Sequence, residues 1–329
     1  MRPSFVLLAV DGSELAGHLI FRTGSLRVVD AAGQESDTLE CTLDDRDGVI
    51  EIPELGKELV LWLGYDGQEL VHYGQYAIDE VSIQGPPFNM TIGGKAIDMV
   101  AKGMKAPKVR DWHGKTVGEM VSTIAEEQGL KPDVDPQLAA KTIPHLQQGE
   151  SDMHLMTRLA GHMDAIWKPE FGNLRFSRRD CTRYAAGEAV DGWLIEGKYI
   201  SSFEARTTSR TKYHSAGAYY YDRAKAERVL VVAEDDAWGK PEKPQHKIRH
   251  DYPSKEAATD AAQSKLAVLK RCVGTLSWRM PGDARLRADT LVRIQDLRVG
   301  LNGDWYVTRV EHEMSGQGFT TSVEAELPK

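Results

Sequence analysis

The two ends of this chain carry one pattern twice. From residue 74 it reads Gly-Gln-Tyr-Ala-Ile-Asp-Glu-Val-Ser-Ile, then a loop, then Phe88-Asn89-Met90-Thr91-Ile92. From residue 303 it reads Gly-Asp-Trp-Tyr-Val-Thr-Arg-Val-Glu-His, then a loop, then Phe319-Thr320-Thr321-Ser322-Val323. Tyr76 matches Trp305, Ile78 matches Val307 and Val81 matches Val310, while Ile92 matches Val323 across a slightly longer loop. Upstream, Leu55, Leu59 and Leu61 parallel Leu286, Leu291 and Arg293. A β-unit that recurs within one chain lets a few subunits present twice as many equivalent positions around a closed ring. That use of sequence is architectural and points away from catalysis.

With 329 residues the chain has room for more than one core. Residues 1–100 read as all-β: short apolar or alternating runs at 5–10, 36–43, 59–63, 75–83 and 89–92 are punctuated by Asp-Gly and Gly-Pro turns. Residues 101–190 change character. Thr116 and Glu119 form a capping box, Val117, Met120, Val121, Ile124 and Ala125 a helical stripe, and Gly129 a helix stop. Ser151 starts a second helix with Met153, Met156, Leu159, Ala160 and Met163 inward, and Ala165-Ile166-Trp167 with Leu174-Arg175-Phe176 reads as a hairpin. This is a small α/β middle domain. Residues 191–232 and 272–329 return to strands and are assigned to a second, split β-domain. Residues 233–271, a proline-bearing loop and an Ala-rich helix capped by Ser254, are the insertion that splits it. The expected class is α+β, dominated by β: two similar barrel-like β-domains, a small α/β middle domain and a helical insertion.

Charge and cysteine usage narrow the function. A formal net charge of −8 lacks the basic footprint that duplex DNA requires, so no specific nucleic-acid binding is expected. The surplus of carboxylates suits solubility, or the lining of a passage through which nucleic acid slides without sticking. Cys41, Cys181 and Cys272 form no Cys-x-x-Cys pair, which argues for a reducing compartment and against a cysteine zinc site. The apolar run at 5–10 ends at Asp11-Gly12, too short for a signal or a membrane span.

Motifs for chemistry are incomplete. His312-Glu313 lacks the second His of a zinc-protease helix, and His145, His154 and His162 lack a carboxylate or Cys to complete a metal set. Asp45-Arg46-Asp47-Gly48 with Glu54 has only part of a calcium loop and reads as a polar turn. Gly93-Gly94-Lys95 has neither the spacing nor the hydroxyl of a phosphate loop. Tyr219-Tyr220-Tyr221 reads as a strand with one buried face and one at a subunit contact, rather than a stacking platform; Trp62, Trp305 and Tyr76 read as core or interface anchors. No catalytic, cofactor-binding or metal residue is assigned, and no enzymatic activity is expected.

Leu43-Asp44-Asp45-Arg46-Asp47-Gly48 with Pro53, Gly56 and the strand ending at Gly64 resembles the first β-domain of the phage late control gene D proteins, the baseplate hubs of contractile tails. Gly149-Glu150-Ser151-Asp152 with Arg158-Leu159-Ala160, and Gly172-x-Leu174-x-Phe176, is similar to that family's middle domain; Trp305-x-Val307-x-x-Val310-x-His312, closing with 320–327, is similar to its last strands. The resemblance spans essentially the whole chain and extends to the hub part of type VI secretion spikes. It implies a homotrimer whose paired tube domains alternate around a pseudo-six-fold ring, adapting a six-fold tail tube to a three-fold spike. The implied partners are the central spike, the tail tube, the tape measure and other baseplate proteins, in a virion or tailocin particle assembled in the bacterial host cytoplasm. Because the sequence ends at Lys329 with no fused spike, a phage-like arrangement with a separate spike protein is expected. The rival reading is a peptidoglycan hydrolase or glycan binder that acts on the cell wall, for which Glu119, Glu126, Glu127 and Asp152 are the available carboxylates.

Overall fold

A computed structural model describes residues 2–9, 22–33, 36–97, 103–143, 146–170, 172–179, 193–207, 213, 215–234, 245–271 and 274–328. His145, Cys181 and Cys272 lie outside the described residues. Six strands form the first β-unit: β1 (Pro3–Ala9), β2 (Thr23–Ala31), β3 (Thr38–Asp44), β4 (Glu58–Tyr65), β5 (Val71–Gln84) and β6 (Asn89–Ala96). The middle segment contains β7 (Pro107–Asp111), α1 (Val117–Glu127), β8 (Lys131–Val134), α2 (Pro136–Ala139), β9 (Leu146–Ser151), α3 (Asp152–Met163), β10 (Ala165–Glu170) and β11 (Asn173–Arg178). There follow β12 (Trp193–Glu196), β13 (Ser202–Thr207), β14 (Ser215–Asp222), β15 (Glu227–Glu234), β16 (Gln245–Tyr252) and α4 (Lys255–Arg271). The chain closes with β17 (Gly274–Pro281), β18 (Leu291–Gln295), β19 (Gly303–Ser315) and β20 (Gly318–Glu326).

The repeat survives at the level of hydrogen-bond register. Val81 pairs with Ile92 and Ile78 with Gly94; at the other end Val310 pairs with Val323 and Val307 with Ala325. Each ladder slips once, at the same place, leaving Asp79 in one and Thr308 in the other as the extra residue of a β-bulge. In chain order β12, β13, β17, β18, β19 and β20 stand in for β1 to β6. β3 and β17 both pair with the last strand of their unit, and β2 and β13 both flank that pair. The first strand is the exception, since β1 pairs antiparallel with β4 whereas β12 pairs parallel with β18.

Two expectations need correcting. Leu59 faces Tyr76 and Val292 faces Trp305, so Leu59 and Leu61 correspond to Val292 and Ile294, not to Leu291 and Arg293. All four are fully buried, and Leu55 is exposed where Leu286 is buried, so core alternation sets the register. The excursion also starts earlier than residue 233. β14 pairs with β15 on one side and with β16 on the other, forming a separate three-stranded sheet covered by α4, while only β12 and β13 of the 191–232 segment join the second β-unit. Ala218, Tyr252, Ala258, Ala261 and Ala262 supply that sheet's own small core.

Local chemistry explains the middle segment. Thr116 and Glu119 cap α1 reciprocally, Gly129 takes a positive φ beyond it, and Ser151 caps α3 by accepting from the His154 amide. Leu155, unassigned in the α3 stripe, is fully buried, whereas Met153 and Met163 sit at its margin.

The two β-units fuse where β2 pairs with the second half of β19, making one twelve-stranded sheet. Met314 and Phe319 of the second unit lie inside the first unit's core, and Tyr65 stacks on Phe319 at 5.5 Å. The Tyr65 hydroxyl donates to the Gly282 carbonyl at 2.9 Å. A Cβ at Gly282 would come within 2.1–2.4 Å of three Phe319 ring carbons. Gly282→Ala is therefore expected to lower stability by about 1–3 kcal/mol, read as a urea midpoint shift without loss of strand signal in circular dichroism.

Candidate assembly interface

Backbone geometry positions the site. In the first unit the strand before β5 stops pairing at Ile78, whose amide donates to Lys57 and whose carbonyl accepts from Gly56. In the second unit the equivalent Val307 does the same with Thr290 and Asp289. Beyond that point the two copies diverge in their surroundings. Residues 309–315 of β19 are covered by β2, but the matching edge of β5, residues 80–84, pairs with nothing among the described residues. At the far end of the sheet β13 is likewise an open edge, every one of its six residues exposed. One chain thus presents one free copy of each half of a seam that it also contains in closed form. Long, unprotected strand edges are templates for strand addition.

The apolar side chains agree. Ile83 is 45 % and Phe88 46 % exposed on the β5–β6 hairpin, where the corresponding His312 and Phe319 are 1 % and 6 % exposed beneath the seam. Phe203 on β13 is 43 % exposed, although it faces Trp278 on the core side of the sheet.

The opposite face of the sheet is polar. Pairing places Glu40, Glu80, Glu204, Glu311, Glu313 and Glu324 on it, together with Arg27, Arg206, Arg279, Arg309 and Lys95. Arg27 grips Glu311 across the seam with two hydrogen bonds of 2.9 and 2.8 Å, and these pairs are solvated, so they contribute little stability.

Buried ion pairs lock the middle segment to both units. Lys168 of β10 donates to Asp30 at 2.9 Å, to Asp37 at 2.8 Å and to the Ala31 carbonyl at 3.2 Å, while Asp30 also accepts from the Ala288 amide at 3.1 Å. Burial opposes the charge on Asp30, but Lys168 and Arg287 outweigh it and hold this carboxyl below its usual range. Asp37 goes the other way: burial, then the like charge of Asp30, pushes it up to about 7. Arg287 lies 3.6 Å over the Tyr73 ring and donates to the Tyr73 and His72 carbonyls. Arg271, itself buried, pairs with Asp164 and reaches Glu326 at 3.2 Å.

Asp37 makes a pH dependence that can be isolated. Its ordinary value is 3.8, so between about 4 and 7 the folded chain holds a proton that the unfolded chain has lost. The stability from this group is complete below about 4 and gone above about 7. His312 opposes it, because burial and then Arg287 push its value down from 6.5 to about 4, removing stability as pH falls through that window. Comparing Asp37→Asn with the parent cancels His312. The parent is expected to lose stability relative to the variant as pH rises from 5 to 7, with a limiting slope of about 1.4 kcal/mol per pH unit, followed by urea unfolding.

The remaining sequence motifs take structural places. His312 is enclosed, with Nδ1 2.9 Å from the Thr321 hydroxyl and the ring edge-on to Tyr73. Asp45 accepts from the Ile50 amide at 3.0 Å inside a turn. Gly93 and Gly94 lie within β6, and Tyr219 is covered by Arg228 at 3.8 Å. Glu119 caps α1; Glu127 is held by Lys108 and Arg110. Asp152, the first residue of α3, is fully buried and accepts from Lys108 at 2.6 Å and Gln147 at 2.9 Å. His154 pairs with Glu150 at 3.0 Å, and His162 lies against β16. Among the described residues no group of three or more His, Cys, Asp or Glu side chains could hold a metal, and no helix is long and apolar enough to cross a membrane.

A duplicated β-unit with one seam closed and its two halves left open defines an assembly protein. The phage tail baseplate hub (GPD) profile matches residues 104–318, and the chain belongs to that family. It is 27 % identical over 365 residues to a probable baseplate hub protein of Escherichia phage 186, covering 99 % of this chain and 93 % of that one. Among solved structures it is similar to a tail protein from Neisseria meningitidis MC58, with TM-score 0.74, 13 % identity and coverage of 99 % and 97 %. The c3393 protein of E. coli, a component of the type VI secretion system, has TM-score 0.54 at 12 % identity over 94 % of this chain and 74 % of that one, so the fold is shared with secretion machinery.

Proposed function

We propose that this baseplate hub protein closes as a homotrimer into a pseudo-six-fold ring, its two β-units serving as tube-forming domains that adapt a six-fold tail tube to a three-fold spike. The observation that carries this is the open copy of the β2–β19 seam. Leu26 reaches Ile92 through Cys41, and Phe203 reaches Val323 through Trp278, so Phe203 stands for Leu26 and Ala205 for Val28. Val28 faces His312, the counterpart of Ile83. Between neighbouring chains Ala205 therefore faces Ile83, with Ser82 opposite Arg206 and Gln84 opposite Glu204. Three such seams alternate with three internal ones, and closure covers both open halves, β13 and residues 80–84 of β5.

In that ring the mixed, carboxylate-rich face lines the bore, a surface on which a passing polyanion finds no net attraction. The expected neighbours are the spike, tube and tape-measure proteins and the other baseplate proteins, in a phage or tailocin tail. The role is structural, since Glu119, Glu127 and Asp152 are engaged in caps and ion pairs rather than facing one another across a cleft. Mass photometry of the purified chain tests the ring: a trimer is expected, and monomer alone at micromolar concentration, also in the presence of its spike, would refute it. Peptidoglycan zymography tests the rival, and clearing by this chain alone would overturn the structural assignment.

A further inference from the structure

A groove of about 460 Å³ runs between α3, α4 and β16, remote in sequence from both open edges of the large sheet. His162 comes from α3, Lys265 from α4, and His246, Lys247, Arg249 and His250 from β16. Among the described residues no carboxylate lines it, in a chain whose net charge is −8. Lys247, Arg249 and Lys265 make no ion pair among the described residues, although most other cations here are matched to carboxylates. Burial holds His246 below its ordinary value, and the nearby Lys265 charge lowers it further. β16 pairs with β14 on one side, and its other edge has no strand partner among the described residues. Ile248, Tyr252 and the part-exposed Val268 add apolar surface.

We propose that this groove binds an extended acidic peptide segment of a partner protein, added as a strand along the free edge of β16. The cations select carboxylates, the strand edge supplies backbone hydrogen bonds, and the apolar patches take alternate side chains. Nucleic acid would satisfy the cations but leave the strand edge unpaired, so the peptide is favoured.

The test is fluorescence anisotropy with the full chain and a short labelled peptide alternating glutamate and valine. Binding that weakens with added salt is expected, together with a drop of about tenfold or more in Lys247→Glu/Arg249→Glu/Lys265→Glu. Lys247→Gln/Arg249→Gln, at two exposed positions, should give an intermediate loss, and thermal unfolding of each variant shows that the fold persists. No binding, equal binding of the lysine–valine peptide, or an affinity untouched by the substitutions would overturn the proposal. So would tighter binding of a single-stranded oligonucleotide of similar charge, which would assign the groove to nucleic acid instead.

Discussion

An Ile83→Asp chain is expected to fold normally and to run as a monomer at concentrations where the parent forms its ring. Ile83 is 45 % exposed in the single chain, so the substitution removes little that holds one subunit together. In the proposed ring the same position would lie under the strand of the next chain, as its counterpart His312, 1 % exposed, lies under β2. A carboxylate there is desolvated without a partner, at a cost of several kcal/mol per seam. A loss of about 3 kcal/mol at each contact weakens association more than a hundredfold, and ring closure multiplies it over the contacts. Val109→Asp, on an exposed position of β7, is the matched control and should leave the mass unchanged. A trimeric Ile83→Asp protein would place the interface elsewhere.

The second large effect is expected at Lys168, where Lys168→Met should cost about 3–5 kcal/mol in urea unfolding. The substitution leaves Asp30 and Asp37 facing each other with their shared cation gone, in a site where Lys168 is only 7 % exposed. Adding Asp37→Asn should recover part of the loss by removing the like-charge contact. Lys95→Met breaks an ion pair of similar length with Asp79, but one that is solvated, and should cost less than about 1 kcal/mol. Equal costs for the two lysines would mean that the buried cluster does not tie the middle segment to the β-units.

The sequence disclosed what is local or repeated. Capping residues Thr116, Glu119 and Ser151 identified helix starts because side-chain-to-backbone bonds act within one turn. Tyr76, Ile78 and Val81 matched Trp305, Val307 and Val310 because the same bulged ladder imposes the same spacing. β2 stayed hidden: Thr23–Ala31 contains Gly24, Arg27 and the buried Asp30, whose charge is tolerated only through Lys168 far away in sequence. The destination of β14 and β15 was equally illegible, because their alternation fits either sheet and only pairing with β16 decides it. The assembly edge itself is an absence, a strand without its neighbour, and no residue of 80–84 read alone announces that. What could have revealed it is the swap of His312 for Ile83 between otherwise matched copies, an apolar side chain where the covered copy carries a hydrogen-bonded one. The cationic groove gathers residues from 162 to 265 and exists only once three elements meet.

A double-cysteine trap reads the inter-chain register directly. Within one subunit Ile83 and Ala205 lie on strands separated by six others, so cysteines at both positions should meet only between subunits, with Cβ atoms about 4.5–5.5 Å apart across the proposed seam. Mild oxidation is expected to give a covalent trimer on non-reducing gels, with neither single variant doing so. Protein that remains monomeric on the gel, although trimeric in solution, would contradict the claim that the second seam repeats the first.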